Sequence, residues 1–207
     1  MSCSIPRYFF IFAALLPVFW ASAQDDSFKD PSTQAVFPYV AHVKTGNVPY
    51  TLQATGFSTR SKFIVKVYSI AHYWQDPVHG NEKEILEGIF KDDKAKQFII
   101  QWMHDVTLSR IRETYYETFQ KLLSHDQRHH LQKEIDEFIQ LFDEDALKGD
   151  VHILRWLPGG CLQVIVKGFV KGNVVSVELA KAVWNIWLGP KSVVNRRQLI
   201  SFILSST

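Results

Sequence analysis

Arg60 and Tyr68 are two polar side chains of a kind that can bind an anion. Arg60 follows a predicted strand, Tyr50 to Thr59, and Tyr68 lies within the next one, Lys62 to Trp74. A guanidinium stays charged and offers paired donors that match a carboxylate, and a phenolic hydroxyl adds another donor. The pair predicts a site for an anionic head group. Alternatively, Arg60 caps a strand end or pairs with a surface carboxylate.

A second polar group, at the start of a predicted helix, has the spacing of metal ligands. His125 and His129 are four residues apart and share one helical face, close to Asp126 and His130. A protein zinc site takes three or four ligands, and no third ligand is identifiable. Such a short polar cluster is usually solvated. We therefore predict no metal site and, without a phosphate loop, HExxH motif or nucleophile elbow, no cofactor.

Three further residues with reactive or aromatic side chains are predicted to be structural. Cys161 lies in an apolar strand and is interpreted as a small buried hydrophobe rather than a nucleophile. Trp184 and Trp187, three residues apart on a predicted helix, are interpreted as core or cleft wall.

The first 23 residues have the pattern of a secretory signal peptide. Arg7 precedes an apolar run, Tyr8 to Trp20, and a small-x-small cleavage site ends at Ala23. The run has about 13 residues, whereas a membrane-spanning helix needs about 20. We expect the chain to be exported, to a periplasm or the medium, and to begin at Gln24 without a lipid anchor or transmembrane segment.

The remaining chain predicts one domain with a flexible leader. Residues 24–35 are polar and acidic and are expected to be a flexible lead-in, followed by a domain over residues 36–207. The chain has 23 basic and 21 acidic residues, and loss of Arg7 leaves a balance too even to attract nucleic acid. Cys161 becomes the sole cysteine, so no internal disulfide is possible.

The chain order of strands and helices indicates the fold class. Predicted strands come first, then predicted helices with their apolar stripes, then consecutive hairpins, and last two helices, Leu179 to Leu188 and Asn195 to Leu204. Gly46-Asn47 and Gly172 are predicted turns. Asn81 with Glu84, and Ser124 with Gln127, are capping-box pairs. This order predicts an α+β fold, with helices on one face of an antiparallel sheet.

Three stretches, in this order, resemble the chalcone isomerase-like family. The first runs from Leu52 through Gly56 to Arg60 and continues as Lys66-Val67-Tyr68 to Trp74; the second is Phe98 to Trp102; the third is Ala180 to Pro190, which contains Ile-Trp-Leu-Gly. The resemblance covers roughly residues 36–204. It implies an open-faced antiparallel β-sandwich in which helices cover one side of a large sheet and leave a cleft.

The resemblance also implies a role for individual residues. Arg60 matches the cleft arginine of the family, four residues after Gly56 where the usual pattern has two. The family's strand threonine aligns with Tyr68, and its helical Tyr-x-x-Lys-x-x-x-Asn pattern aligns with Ile111, Thr114 and Thr118. Because these positions lack the lysine and tyrosine of the cyclising enzymes, efficient chalcone cyclisation is not expected.

Family members bind fatty acids, act as non-catalytic partners or catalyse cyclisation, and the sequence favours the first role. We predict a binder or carrier of a fatty acid or similar amphipathic carboxylate, with Arg60, Tyr68, Thr114 and Thr118 as ligand-binding residues. Two alternatives remain: an isomerase that acts on an unsaturated carbonyl compound, and a scaffold that binds another protein.

Overall fold

A computed structural model describes residues 26–205. The predicted signal peptide, 1–23, and residues 24 and 25 of the predicted lead-in lie outside the described residues. The described part is an α+β domain in which five helices accompany a curled sheet of seven antiparallel strands.

The seven strands of the large sheet are neighbours in space in the same order as along the chain. They are β3 (Val40–Thr45), β4 (Val48–Lys62), β5 (Val65–Trp74), β6 (Lys96–Trp102), β7 (Val151–Leu157), β8 (Cys161–Val166) and β9 (Phe169–Val175). Each pairs antiparallel with the next. Two short strands, β1 (Ser27–Lys29) and β2 (Val36–Pro38), form a separate hairpin. The predicted fold class is confirmed.

The predicted turn at one end of β4 is confirmed, whereas two other hairpin connections differ from the prediction. Gly46-Asn47 joins β3 to β4, as predicted. The predicted strand Lys62 to Trp74 is divided, because Phe63-Ile64 forms a two-residue loop between β4 and β5. Gly172 is not a turn: β8 and β9 are joined at Lys167-Gly168, and Gly172 lies inside β9, where the Leu141 side chain packs against its Cα.

Four of the five described helices begin at a side-chain cap, and α4 begins without one. They are α1 (Glu82–Lys91), α2 (Leu108–Leu122), α3 (His125–His130), α4 (Gln132–Gln140) and α5 (Val177–Leu188). Both predicted capping boxes are present, Asn81 with Glu84 at α1 and Ser124 with Gln127 at α3. The predicted helix Asn195 to Leu204 contains only a 3₁₀ turn, Gln198–Ile200.

The helices cover one face of the sheet, and along β5 this face carries both polar and apolar residues. Along β5 the residues Tyr68, Ile70, His72 and Trp74 point to the helices and join a large core with apolar residues of α1, α2, α4 and α5. The polar members of this face, Tyr68 and His72, therefore lie beneath helices rather than in solvent.

The opposite face of the sheet is partly covered by residues 26–38, which differ from the predicted flexible lead-in. Phe28 is buried in a second apolar cluster, and the Asp30 carboxylate is buried. Asp30 accepts hydrogen bonds from Ser69 Oγ at 2.6 Å and Thr59 Oγ1 at 2.5 Å. Burial favours the neutral acid, but these bonds and those from Ser32 lower the pKa of Asp30 to about 2. A charged, hydrogen-bonded carboxylate thus holds this polar segment on the sheet.

Candidate functional site

A row of four side chains crosses four adjacent strands on the helix-covered face: Arg60 of β4, Tyr68 of β5, Trp102 of β6 and His152 of β7. Arg60 is paired in register with Tyr68, and Tyr68 with Trp102. His152 is paired with Ile100, so it lies diagonally from Trp102, with ring centroids 5.4 Å apart. We call these four residues the cross-strand row. The sheet register brings them together although they span 92 positions of the chain.

Arg60 lies half-buried at one end of the row. Its Nη1 donates a hydrogen bond to the backbone carbonyl of Val193 at 2.6 Å. No carboxylate of residues 26–205 lies within 4.0 Å of the guanidinium, so the alternative of a surface ion pair is not found in that part of the chain. The remaining N–H groups can hold an anion.

Tyr68 is the neighbour of Arg60 in the row. Its hydroxyl oxygen accepts a hydrogen bond from Trp187 Nε1 at 2.9 Å, while its own O–H finds no acceptor within the described chain. Burial raises the pKa of Tyr68 to about 12, against smaller lowering effects of the Trp187 bond and of Arg60. Tyr68 is therefore a neutral hydroxyl at physiological pH, with one hydrogen left to donate.

Trp102 and His152 carry the unpartnered polar atoms of the row. Both side chains are buried, and Trp102 Nε1 and His152 Nε2 have no hydrogen-bond partner among residues 26–205. Burial lowers the pKa of His152 to about 4, although nearby Asp150 opposes the shift, so the imidazole is neutral at pH 7. Native proteins satisfy most buried polar atoms. The two unpaired nitrogens near Tyr68 are therefore polar atoms that the fold itself does not use.

Aromatic rings of the helices and their connections cover the row. Tyr115 of α2 stacks on Phe142 with ring centroids 4.8 Å apart and meets Trp187 of α5 at 6.5 Å. Burial and the nearby Tyr68 hold the pKa of Tyr115 well above its usual range. The rings above the row are therefore mostly apolar, and the Tyr115 hydroxyl among them is neutral.

The structure does not bring Thr114 and Thr118 to the row. The Thr114 hydroxyl donates to the Arg110 carbonyl at 2.7 Å, and the Thr118 hydroxyl to the Thr114 carbonyl at 2.6 Å, on the more exposed side of α2. Their hydroxyls are thus occupied by the helix backbone. Tyr115, which shares an apolar stripe with Ile111 and Phe119, is the α2 residue that faces the row. The prediction of Thr114 and Thr118 as ligand-binding residues stays a prediction, and the structure places them apart from Arg60 and Tyr68.

A second polar group lies further along β5, and all its groups are paired. Trp184 Nε1 donates to His72 Nε2 at 3.2 Å, His72 Nδ1 contacts Thr55 Oγ1 at 2.7 Å, and Thr55 Oγ1 donates to the Leu199 carbonyl at 2.7 Å. The order of donors places the His72 proton on Nδ1. Burial, with a smaller effect of Lys96, lowers the pKa of His72 to about 3. We call this chain the His72 network.

Gly56 makes the His72 network possible. A Cβ at this position would lie 2.2 Å from the Gln198 carbonyl oxygen, and the φ of Gly56 is 152°. Only glycine lets the 3₁₀ turn approach β4 closely enough for Thr55 to reach Leu199. Gly56, part of the sequence pattern, therefore serves packing.

The remaining polar features lie away from the row. His125 Nδ1 is 3.5 Å from Asp126, and His130 Nε2 is 3.3 Å from Glu178, all at the surface; no group of three metal-ligand side chains occurs in residues 26–205. A depression of about 510 Å³ between α2 and α4 is lined mostly by polar and charged residues, among them Arg112, Glu113 and Asp136. None of the described helices is both long and apolar enough to cross a bilayer.

Sequence reasoning missed Trp102, His152 and Tyr115. A signal for Tyr115 was present, since it lies on the apolar stripe of α2 that also contains Ile111 and Phe119. Trp102 is the last residue of β6, where its alternation with Ile100 and Phe98 places it on the same face of the sheet as Tyr68. Nothing in the sequence pairs His152 with them, because that requires the sheet register.

Comparison with known proteins agrees with the architecture. A family model described as chalcone isomerase-like matches residues 36–198. No curated protein matches the sequence. Among solved structures, the crystal structure of a fatty-acid binding protein from Arabidopsis thaliana superposes with a TM-score of 0.68, at 14% identity, over 86% of this chain and 96% of that one. The TM-score establishes a shared fold, and at 14% identity the likeness shows the fold alone. Because the family model spans most of the chain, the protein belongs to the chalcone isomerase-like family.

Proposed function

We propose that the protein binds a fatty acid or similar amphipathic carboxylate, without catalysis, and does so outside the cytoplasm. One observation carries the proposal: Arg60, with no carboxylate partner in residues 26–205, stands in register beside a neutral Tyr68 whose hydroxyl hydrogen is unused. Together they present donors from two directions to one anion. The similar Arabidopsis structure is described as a fatty-acid binding protein, which supports the same ligand class.

The head group and the acyl chain of the ligand contribute differently to the free energy of binding. A hydrogen bond to a charged group contributes about 1.5–3 kcal/mol net, whereas each buried methylene contributes about 0.8 kcal/mol. Ten methylenes thus outweigh the head group, so the chain dominates affinity and Arg60 fixes orientation. The chain would lie against Trp102, Tyr115 and Trp187, and these rings must separate to admit it.

The chemistry of the row does not favour an isomerase. Cyclisation of a chalcone needs positioned donors for the developing enolate, and α2 offers the row Tyr115 but no lysine. The hydroxyls of Thr114 and Thr118 are bound to backbone carbonyls. Carboxylate binding needs only Arg60 and Tyr68. We therefore propose binding rather than turnover.

The test replaces Arg60 with methionine, which keeps much of the apolar stem. We expect Arg60→Met to weaken fatty-acid binding by about 10- to 100-fold, since about 1.5–3 kcal/mol of charge-assisted bonding is lost. A fatty alcohol of equal chain length should lose much less. The measurement is isothermal titration calorimetry on variants with unchanged melting curves, because truncating arginine can also remove packing.

Arg110→Met is the matched control, because Arg110 is an exposed arginine of α2 that pairs with Glu113. It should leave binding of both ligands unchanged. If acid and alcohol weaken equally in Arg60→Met, or neither weakens, the carboxylate site is not at Arg60 and the proposal fails.

A further inference from the structure

The loop that joins β4 to β5 exposes two large apolar side chains. Phe63 is 93% exposed and Ile64 is 97% exposed, more than any other large apolar residue in the described chain. Val65, next to them, is also exposed. Isolated exposed apolar residues are common on protein surfaces, but two adjacent ones at the tip of a hairpin form a protruding apolar point. We call Phe63 and Ile64 the hairpin tip.

Fold stability does not explain these residue types. Lys62 is paired with Val65, so the loop has only two residues, and the φ of Phe63 is 54°. Asparagine and glycine are the usual residues of such loops because they accept positive φ at little cost. In the two-residue loop between β3 and β4, the residue with positive φ is Gly46, at 59°. Phenylalanine at positive φ is unfavourable, and at this exposure its ring gains no packing in return.

The surroundings of the hairpin tip are cationic. Lys62 and Lys66 flank it and are exposed. A shallow depression of about 370 Å³ beside it contains Ile64, Lys66, His104 and Lys148 among its lining residues, and no carboxylate is among them. Asp105 lies nearby, where its Oδ1 accepts the backbone N–H of Lys148 at 2.7 Å. A second carboxylate, Asp30, accepts the backbone N–H of Ser32 beside the depression but is buried. The exposed charges here are thus three lysines and one aspartate, a local bias that the whole chain, with a net charge of +2, does not share.

An apolar point ringed by lysines fits the surface of an anionic bilayer. Apolar side chains enter the boundary between head groups and acyl chains, while cations contact the phosphates. A protein partner fits less well: a stable interface buries about 800 Å² per partner, and two side chains offer roughly a few hundred Å².

We propose that the hairpin tip inserts into bilayers that contain anionic phospholipids, with Lys62, Lys66 and Lys148 on the phosphates. Arg60 lies two residues before Lys62, or about 7 Å along the strand. Docking therefore places the Arg60 end of the cross-strand row at the membrane surface. The docking itself does not depend on what the row binds.

The test measures binding to vesicles by co-sedimentation. Vesicles of phosphatidylglycerol and phosphatidylcholine in equal parts are compared with pure phosphatidylcholine, using the exported, purified chain. All variants must share one N-terminus, verified by intact mass, because the apolar stretch Tyr8 to Trp20 would itself bind lipid. The key variant is Phe63→Asn/Ile64→Gly, which introduces residues that are common in two-residue hairpin loops.

We expect Phe63→Asn/Ile64→Gly to melt at the same or a higher temperature but to bind anionic vesicles about 10- to 100-fold more weakly. Lys62→Gln should weaken binding about fivefold. Added salt should also weaken the binding of wild type, because it screens the lysines. The matched control is Val48→Asn, at the opposite end of β4, where Val48 is 51% exposed beside Gly46-Asn47. It should bind like wild type.

Three results would overturn the proposal: no binding of wild type to anionic vesicles, equal binding by the double variant, or self-association of wild type that the double variant abolishes in sedimentation velocity without lipid. The last would make the hairpin tip a contact between copies. Fatty-acid titration of the double variant in detergent-free buffer should match wild type, so that failure here is separate from failure of the Arg60 site.

Discussion

Two polar groups lie on the same face of β5, four residues apart, and each receives an indole N–H from α5. Trp184 donates to His72, and one turn later Trp187 donates to Tyr68. Beyond that shared contact they differ. The His72 network ends in the Leu199 carbonyl through Thr55, so every donor has an acceptor. The cross-strand row ends in unused groups.

The difference separates a structural use of buried polarity from a binding use. A fully paired network fixes one arrangement of neighbouring elements, and the His72 network ties β4, β5, α5 and the 3₁₀ turn together. Within residues 26–205, the row has a Tyr68 hydroxyl hydrogen without an acceptor and two nitrogens without partners, on Trp102 and His152. Buried orphans cost stability, so a row that keeps them is suited to a ligand that supplies partners.

Acid should destabilise the protein through the His72 network, and this is the largest expected effect. The pKa of His72 is about 3 in the folded protein and about 6.5 when unfolded. Because the folded value is lower, its contribution is complete above pH 6.5 and is lost as pH falls towards 3. Between pH 7 and 4 this removes about 3 kcal/mol of the free energy of unfolding.

The measurement compares wild type with His72→Leu by urea denaturation across that pH range. The variant loses hydrogen bonds at pH 7 but cannot titrate at this position, so the gap between the two proteins should narrow by about 3 kcal/mol as pH falls to 4. Asp30 and His152 titrate in both proteins and cancel in the difference. A gap that stays constant would contradict a buried neutral His72.

Removing one hydroxyl from the His72 network should mainly lower the free energy of unfolding, whereas removing one from the cross-strand row should mainly weaken ligand binding. Thr55→Val keeps the shape but leaves the His72 Nδ1–H and the Leu199 carbonyl unpaired, at a cost of about 1–3 kcal/mol. Tyr68→Phe leaves only the Trp187 N–H without an acceptor, at a half-buried site, and should cost about 1 kcal/mol.

Ligand binding should respond in the opposite order. Tyr68→Phe should weaken fatty-acid binding about tenfold, since one hydrogen bond to the carboxylate is lost, while Thr55→Val should bind normally below its melting temperature. Chemical denaturation and calorimetry on the same preparations give both numbers. Equal binding loss in the two variants would mean that the groups do not differ in role.

Local chemistry made much of the fold predictable from sequence. The capping boxes at Asn81 and Ser124 and the turn at Gly46-Asn47 depend on residues within four positions of each other, and all three are confirmed. Residues 26–35 were not predictable in this way. Their polar composition suggested flexibility, but Asp30 is held by Thr59 and Ser69 of distant strands.

The part of the candidate site that depends on one pair of adjacent strands could be predicted from sequence. The part that depends on the register of further strands and on helix orientation could not. Arg60 and Tyr68 were identified from residue type and family pattern, and the structure places them in register. Thr114 differs from Tyr115 by one position, or about 100° around α2, and that step decides which of them faces the row. His152 joins the row only through the register of β7 on β6, which a sequence pattern leaves open.

The smallest expected effect compares two identical substitutions, Trp184→Phe and Trp102→Phe. Both remove the same volume from a buried position, so the packing loss should be similar. Trp184→Phe also leaves His72 Nε2 without its donor, whereas Trp102→Phe removes a nitrogen that has no partner in residues 26–205. We expect Trp102→Phe to be the milder by about 1 kcal/mol in urea denaturation at pH 7.

Repeating the comparison at saturating fatty acid sharpens it. A ligand that accepts a hydrogen bond from Trp102 Nε1 stabilises wild type more than Trp102→Phe, because the stability that a bound ligand adds rises with the logarithm of its affinity. Trp184→Phe should gain as much from the ligand as wild type does. If Trp102→Phe gains equally too, the unpaired indole nitrogen lies outside the ligand's reach, and the binding part of the row ends at Tyr68.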